Sequence, residues 1–480
     1  MTADTLTAEH PTPARPRHHR YAVGLIALVA ASVYSLLGLV KLHTFRASTF
    51  DLVIVDQAVR NYSRFRPPYI PVVGGWHDRG MDYLQIVDHF SPIYALLAPF
   101  YWVHDGPGSL IVAQALLFAA AIPFLWLFTR RMLGVLPAYL VSLAYALSWP
   151  IAQAVAFDAH EVMFVPVLTA IMIERYHAGR PLPAFLAMGA LLLVKEDMGL
   201  MVIGFGLYLL VVGDRFRGAC SALIGVAGVM LTRGAVIPML GGDTGDFWAY
   251  NHLGPDLPGA LLGMLRDPLG TLLLPLSEAA KVDTLILLAW PTLLLCLLSP
   301  LSLVALPHVL ERMLSDRELW WQADFQYSAF TVVILFCAGV DGLARLRRWL
   351  RRDGLSLMWS AAVLVVALTL VPRFALDQLY QPDFYQGDQA KIAAAGEAVA
   401  MVPDGVVVEA GNSFGPALTR RTTVLLFTGK AHDAPWIVAD TSRWEFPFGS
   451  ADEQRAQVEE RLARGYTKVF DRDGVVVLRR

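Results

Sequence analysis

Charge is scarce in this chain. Asp, Glu, Lys and Arg make up 17% of its 480 residues, where soluble globular chains carry about 25%. With 56% hydrophobic residues and a mean hydropathy of +0.49, that deficit excludes an ordinary water-soluble domain and points to lipid as the solvent. The formal net charge is only −2, so the basic footprint of a nucleic-acid binder is missing. Cysteine is nearly absent: Cys220, Cys296 and Cys337 each lie in an apolar run without the close spacing of metal ligands. They exclude a disulfide scaffold and a thiolate metal centre and read as small core residues. No cleavable leader is expected either, because the first apolar run is too long for a signal peptide and lacks a cleavage site. The chain also lacks the internal repeat that transporters favour.

What is present is a series of apolar runs, several approaching the ~20 residues that cross a bilayer. The expected fold is an α-helical polytopic membrane protein of about eleven spans, with a small α/β domain at its C-terminus. Residues 1–20 are polar and proline-bearing and read as a disordered cytoplasmic stretch. Residues 21–372 form the membrane domain, with a long first outer loop over 43–108. Arg15, Arg17 and Arg20 before the first run, and the Arg345–Arg352 basic run, put the N-terminus and that run in the cytoplasm. In the first outer loop, residues 51–65 have the spacing of a short amphipathic helix, and 91–103 reads as an interfacial helix. The stretch 284–298 is read as a span that crosses inward. Residues 373–480 read as a soluble α/β module outside the membrane. Its expected helices cover 388–402 and 451–464, its strands 406–410, 424–427 and 436–439, and a hairpin closes through Asp471-Arg-Asp-Gly474. That module contains no glycine-rich phosphate loop and no triad pattern.

The few charges that remain gather at span ends. Asp51 and Asp56 follow the first run, Asp88 and His89 stand in Val87-Asp-His-Phe-Ser-Pro92, and Asp158, His160 and Glu161 stand in Phe157-Asp-Ala-His-Glu161. Lys195, Glu196 and Asp197 are consecutive. Ionisable groups at membrane depth are costly, about 2.5–3.5 kcal/mol each, so they are candidates for function. Each also has a plainer reading. Span-end acids can sit among lipid headgroups, the 158–161 group can cap the span that begins at Val162, and Lys195-Glu-Asp197 can neutralise itself. Asp51, nearest the first span, is read as a general base for an acceptor hydroxyl, with Asp56, Asp88 and His89 as its catalytic companions. No cofactor is indicated beyond a divalent cation that Asp51 could ligate with Asp88 and His89, a reading without a spacing motif behind it. Lys195, His308 and Arg312 are candidates for a lipid phosphate, since a buried anion must be paired; His308, Glu311 and Arg312 share one helix face. Arg233 reads as a partner for a nearby carboxylate, and Trp320, Trp321 and Tyr327 as aromatic-belt residues.

Phe50-Asp-Leu…Asp56-Gln57, Asp88-His-Phe-Ser-Pro92, Phe157-Asp-Ala-His-Glu161 and Val194-Lys-Glu-Asp197 together resemble a family of bacterial and archaeal membrane proteins of unknown function. Its layout is similar to the class C glycosyltransferases, among them protein O-mannosyltransferases and aminoarabinose transferases. The resemblance implies a long first outer loop carrying an acidic residue, matched by Asp51. It further implies inverting transfer of a sugar from a polyprenyl-phosphate lipid to a hydroxyl on a glycan, lipid or protein. The chain departs from those enzymes in spacing Asp51 and Asp56 five apart where they carry a tight acidic pair. Two other readings remain open: a transporter or lipid flippase with a relay of charges, and a non-enzymatic cell-envelope scaffold working through its C-terminal module.

Overall fold

The structure is a computed structural model that describes residues 17–480 apart from 244, 246 and 353. Most of the expected N-terminal disorder therefore lies outside the described residues. Residues 17–20 correct it: they already belong to the first helix, Arg17–His43, where His19 Nδ1 meets Tyr139 Oη at 2.8 Å. Long polar side chains at such an end keep their heads in water while the backbone stays helical.

Among the described residues, five helices are long and apolar enough to cross a bilayer: His18–His43, Pro107–Leu133, Val135–Ala156, Arg215–Met239 and Leu355–Arg373. Together they make this a multi-pass membrane protein. Other apolar helices are shorter, among them Pro92–Val103, Pro181–Leu191, Gly199–Val211 and Leu257–Arg266. The stretch 284–298, expected to cross inward, is not one continuous helix. Its helix Ala279–Ala289 gives way to short 3₁₀ turns separated by Leu293 and Leu294 in the left-handed region (φ 52° and 63°). Pro291 supplies the physical reason, since it offers no N–H to continue the helix.

One helix pair is built on glycine. A Cβ added at Gly199 would lie 2.5 Å from the Gly225 carbonyl oxygen, and one at Gly206 would lie 2.6 Å from the Ala222 nitrogen. Gly199–Val211 and Arg215–Leu231 thus pack backbone against backbone, as small residues allow between helices in lipid. The pair carries the Lys195–Asp197 turn at its end. Around it, Phe118, Phe128, Tyr145, Phe205, Phe330 and Phe336 fill one large apolar core, while Leu25, Leu28, Leu186, Phe216 and Leu223 face outward where lipid would lie.

The C-terminal residues form a five-stranded sheet of order β2-β1-β3-β5-β4, with β1 Val407–Ala410, β2 Thr423–Leu426, β3 Trp436–Asp440, β4 Thr467–Arg472 and β5 Val475–Arg479. β1 runs parallel to β2 and β3, and β5 is antiparallel to β3 and β4. The sheet does not stand apart from the first loop. Val53, Ala58, Ile70, Val72 and Val73 of the loop share one buried cluster with Ala394, Val408, Val424 and Val477. Polar clamps add to it. Asn412 Oδ1 accepts from the amides of Thr49 and Phe50 at 3.1 Å each, Thr49 Oγ1 donates to the Gly411 carbonyl at 2.9 Å, and Gly415 N donates back to Thr49 Oγ1 at 2.9 Å. Gln57 Nε2 donates to the Val424 carbonyl at 2.9 Å.

Candidate functional site

Two polar centres meet where the first helix ends. Asp51 sits in the π-helical turn Thr49–Val53, a geometry that recurs at functional sites. Its Oδ1 lies 3.2 Å from His160 Nε2, and Ser48 Oγ bridges Asp51 Oδ2 at 3.1 Å and Asp158 Oδ2 at 3.0 Å. Asp158 also accepts from Ser48 N at 2.7 Å and faces Lys41 Nζ at 3.6 Å. Its left-handed backbone (φ 82°) is one that Asp tolerates better than most residues. Asp158 therefore ties the end of the first helix to the turn that carries Asp51.

The second centre starts from the next residue after His160. Glu161 Oε1 pairs with Lys195 Nζ at 3.2 Å, and its other oxygen accepts from Tyr94 Oη at 3.2 Å. Glu196 takes His89 Nδ1 at 3.0 Å and the Phe90 amide at 3.1 Å. The 158–161 group makes no side-chain cap on the helical turn that follows it; Lys195 and Glu196, besides attracting each other, reach outward to Glu161 and His89. Burial alone would raise the Glu161 carboxyl, yet Lys195, His160 and His89 hold it down at about 2. Glu196 is likewise held well below the usual range, burial being outweighed by His89 and Lys195. Burial would lower both histidines, but Asp51 raises His160 and Glu196 raises His89. Asp88, buried beside His89, is pushed up by burial, with His89 and His77 opposing.

Beyond these pairs lies a small cavity, lined among others by Lys195, Arg233, Arg312, Trp320 and Tyr327. Arg312 Nε donates to the Trp320 carbonyl at 2.7 Å and Nη2 to Ser328 Oγ at 3.3 Å, while its buried Nη1 has no hydrogen-bond partner. Arg233 lines the same wall and, among the described residues, has no ion pair. Trp320 and Tyr327, read from sequence as belt residues, are cavity residues. Trp321 instead lies under Lys281, whose Nζ is 5.4 Å from its ring centre.

Asp56 requires a correction. It is wholly buried, its carboxylate forked by Arg60 and accepting from Tyr101 Oη at 2.5 Å and Thr419 Oγ1 at 2.7 Å. Asp51 keeps 28% of its side chain exposed; Asp56 has no face left for a substrate and joins the first loop to the C-terminal sheet. The cation set of Asp51 with Asp88 and His89 is not assembled either, because Asp51 is turned to His160 and His89 to Glu196. Among the described residues, the group of metal-type side chains that does gather is Asp197, His308 and Glu311. Sequence reasoning missed Lys41, Ser48 and Tyr94. Only Ser48, three residues before Asp51, carried a local signal, the spacing of a helix-start cap.

Comparison with known proteins follows this geometry. No curated protein matches the chain. Among solved structures, ArnT from Cupriavidus metallidurans bound to undecaprenyl phosphate matches with a TM-score of 0.51 at 14% identity, covering 95% of this chain and 98% of that one. Its apo state matches with the same TM-score and identity over 96% and 98%. Archaeal oligosaccharyltransferase AglB from Archaeoglobus fulgidus, in complex with an inhibitory peptide and a dolichol-phosphate, matches at 0.44 and 13% identity over 88% and 70%. The likeness to ArnT shows a fold of the class C type. The family model described as "Predicted membrane protein (DUF2079)" matches residues 41–477, and the chain belongs to that family.

Proposed function

We propose that this protein is a membrane glycosyltransferase that moves a sugar from a polyprenyl-phosphate lipid to an acceptor hydroxyl. The observation that carries the reading is the buried, unpartnered Nη1 of Arg312, which shares one cavity wall with Lys195 and Arg233. Unpaired buried guanidinium groups are costly unless an anion completes them, and a lipid phosphate is an anion delivered at the membrane. A structure of the same fold holding undecaprenyl phosphate supports the same class of lipid.

The geometry suits the reaction's charge flow. Asp51, partly exposed and held by Ser48 and His160, takes the proton from the acceptor hydroxyl as that oxygen bonds the sugar's anomeric carbon. The bond from that carbon to the phosphate oxygen breaks, and its electrons leave with the polyprenyl phosphate. Lys195, Arg233 and Arg312 meet the negative charge that grows there. His160 and Glu161, adjacent in sequence, link the two ends of this machinery. We place the reaction on the outer face of the cell membrane, with about eleven crossings, the N-terminus in the cytoplasm and the C-terminal sheet outside, from the arginine-rich flanks. The acceptor is a glycan, lipid or protein of the cell envelope. The shared core between sheet and first loop speaks against a scaffold whose tail works alone.

Mass spectrometry of lipids that co-purify from native membranes tests the reading. A polyprenyl-phosphate sugar, consumed when an envelope extract is added, supports it; ordinary phospholipids alone at full recovery refute it. Asp51→Asn should then retain that lipid, insert normally and lose transfer. Unchanged turnover would remove Asp51 from the base role.

A further inference from the structure

We infer that Asp197, His308 and Glu311 bind one divalent transition-metal ion, of the zinc and manganese class, in the wall of the donor cavity. His308 and Glu311 stand one turn apart on the helix Ser302–Leu314, and Asp197 reaches them from the turn that ends the glycine-packed pair. One ligand atom from each lies within 4.8 Å of the others. Two ligands about 2.1 Å from a tetrahedral ion stand about 3.4 Å apart, so modest side-chain rotation closes the set.

A second observation points to a missing ligand. His308 is 2% exposed; its Nδ1 lies 3.4 Å from Glu311 Oε2 without a hydrogen bond, its Nε2 has no partner, and Asp197 Oδ1 is buried and without a hydrogen bond as well. A buried ring nitrogen without a partner is rare in folded proteins, whereas a metal ion takes the neutral imidazole's lone pair directly. The Phe330 ring, its centre 4.9 Å from that of His308, packs beside the imidazole. One imidazole and two carboxylates suit a borderline ion better than magnesium or calcium, which favour all-oxygen sets. Two carboxylates also balance a doubly charged ion without adding net positive charge to a wall that already holds Lys195, Arg233 and Arg312.

The ion's role rests on the proposed transfer reaction. Three protein ligands leave a coordination position open, and all three residues line the cavity. Once bound, the ion would supply Lewis-acid stabilisation of the departing phosphate. The site itself is independent of that role.

The test uses the full-length protein in detergent, stripped with a chelator, loaded with zinc alone or manganese alone, desalted and assayed by elemental mass spectrometry. Wild type and His160→Gln should each retain close to one equivalent of one of these ions. His308→Ala and Asp197→Asn should retain at least tenfold less while eluting as the same monodisperse species. If His308→Ala aggregates, Glu311→Gln replaces it, and X-ray absorption of the loaded wild type must show imidazole scattering. No stoichiometric ion in wild type, or full retention in both ligand variants, overturns the site. Lipid phosphate is measured on the same preparations: lipid without metal overturns this inference and leaves the proposed transferase standing, and metal without lipid does the reverse.

Discussion

Asp56→Ala should loosen the C-terminal sheet from the first loop. In the folded protein the carboxylate is fully buried and meets both guanidinium nitrogens of Arg60, Tyr101 Oη and Thr419 Oγ1. Its removal leaves the guanidinium with Asp105 at 2.8 Å and the Thr419 carbonyl at 2.8 Å, and leaves both hydroxyls without their acceptor. Breaking one partner out of a buried ion pair costs about 3–5 kcal/mol. At about 1.4 kcal/mol per decade, the amides of 415–426 should exchange with deuterium roughly 100- to 4,000-fold faster. The double variant with Arg60→Leu should recover part of that loss, because the guanidinium N–H groups left without Asp56 go with it; a coupling of about 2 kcal/mol or more is expected across the cycle. The assay is hydrogen–deuterium exchange by mass spectrometry on all four proteins. Exchange within threefold of wild type in Asp56→Ala, or single effects that simply add, would refute the anchoring role. Loss of turnover with unchanged exchange would return Asp56 to the catalytic group.

Three further outcomes follow from the same contacts. Because Asp51 holds the His160 pKa above the ordinary 6.5, the imidazolium–carboxylate pair is fully formed below about pH 6.5 and fades as pH rises through the raised value. Transfer should therefore fall on the alkaline side, and a pH–rate profile of His160→Gln should lack that limb. Gly225→Leu puts a side chain where a Cβ already lies 2.5 Å from the Gly199 carbonyl; overpacking of about 1–3 kcal/mol should lower the thermal midpoint, and an unchanged midpoint would show that the helices can part freely. Arg312→Ala should reduce co-purified lipid phosphate several-fold with insertion intact, read by quantitative lipid mass spectrometry, and equal retention would take Arg312 out of the donor site.

The sequence read best where backbone punctuation is local. Asp473 and Gly474, both at positive φ (51° and 80°), make the hairpin turn that Asp-Gly announces, and Pro403-Asp-Gly405 and Gly465 end helices where expected. The polar clusters were also visible, because a charge in an apolar chain stands out. Their partners were not. Nothing local joins Asp56 to Thr419, 363 residues away, or His160 to Asp51, 109 away. The same blindness put Asp56 beside Asp51 among the catalytic candidates: their spacing of five already spoke against a shared face, but the burial of Asp56 against Arg60 and Thr419 was not legible. It also hid the meeting of Asp197 with the face of a helix more than a hundred residues later, whereas the break at Leu293–Leu294 had a local signal in Pro291.

The hold of Asn412 and Gly411 on Thr49 has a temporal meaning. Thr49 emerges early in synthesis, and Gly411 follows it 362 residues later. At about 5–20 residues per second, that gap lasts roughly 20–70 s. Throughout it the turn carrying Asp51 lacks its brace, so the order of translation acts as a safety catch. The carboxylate proposed as the base is aimed only after the bundle has been made and the last domain has closed over the first loop.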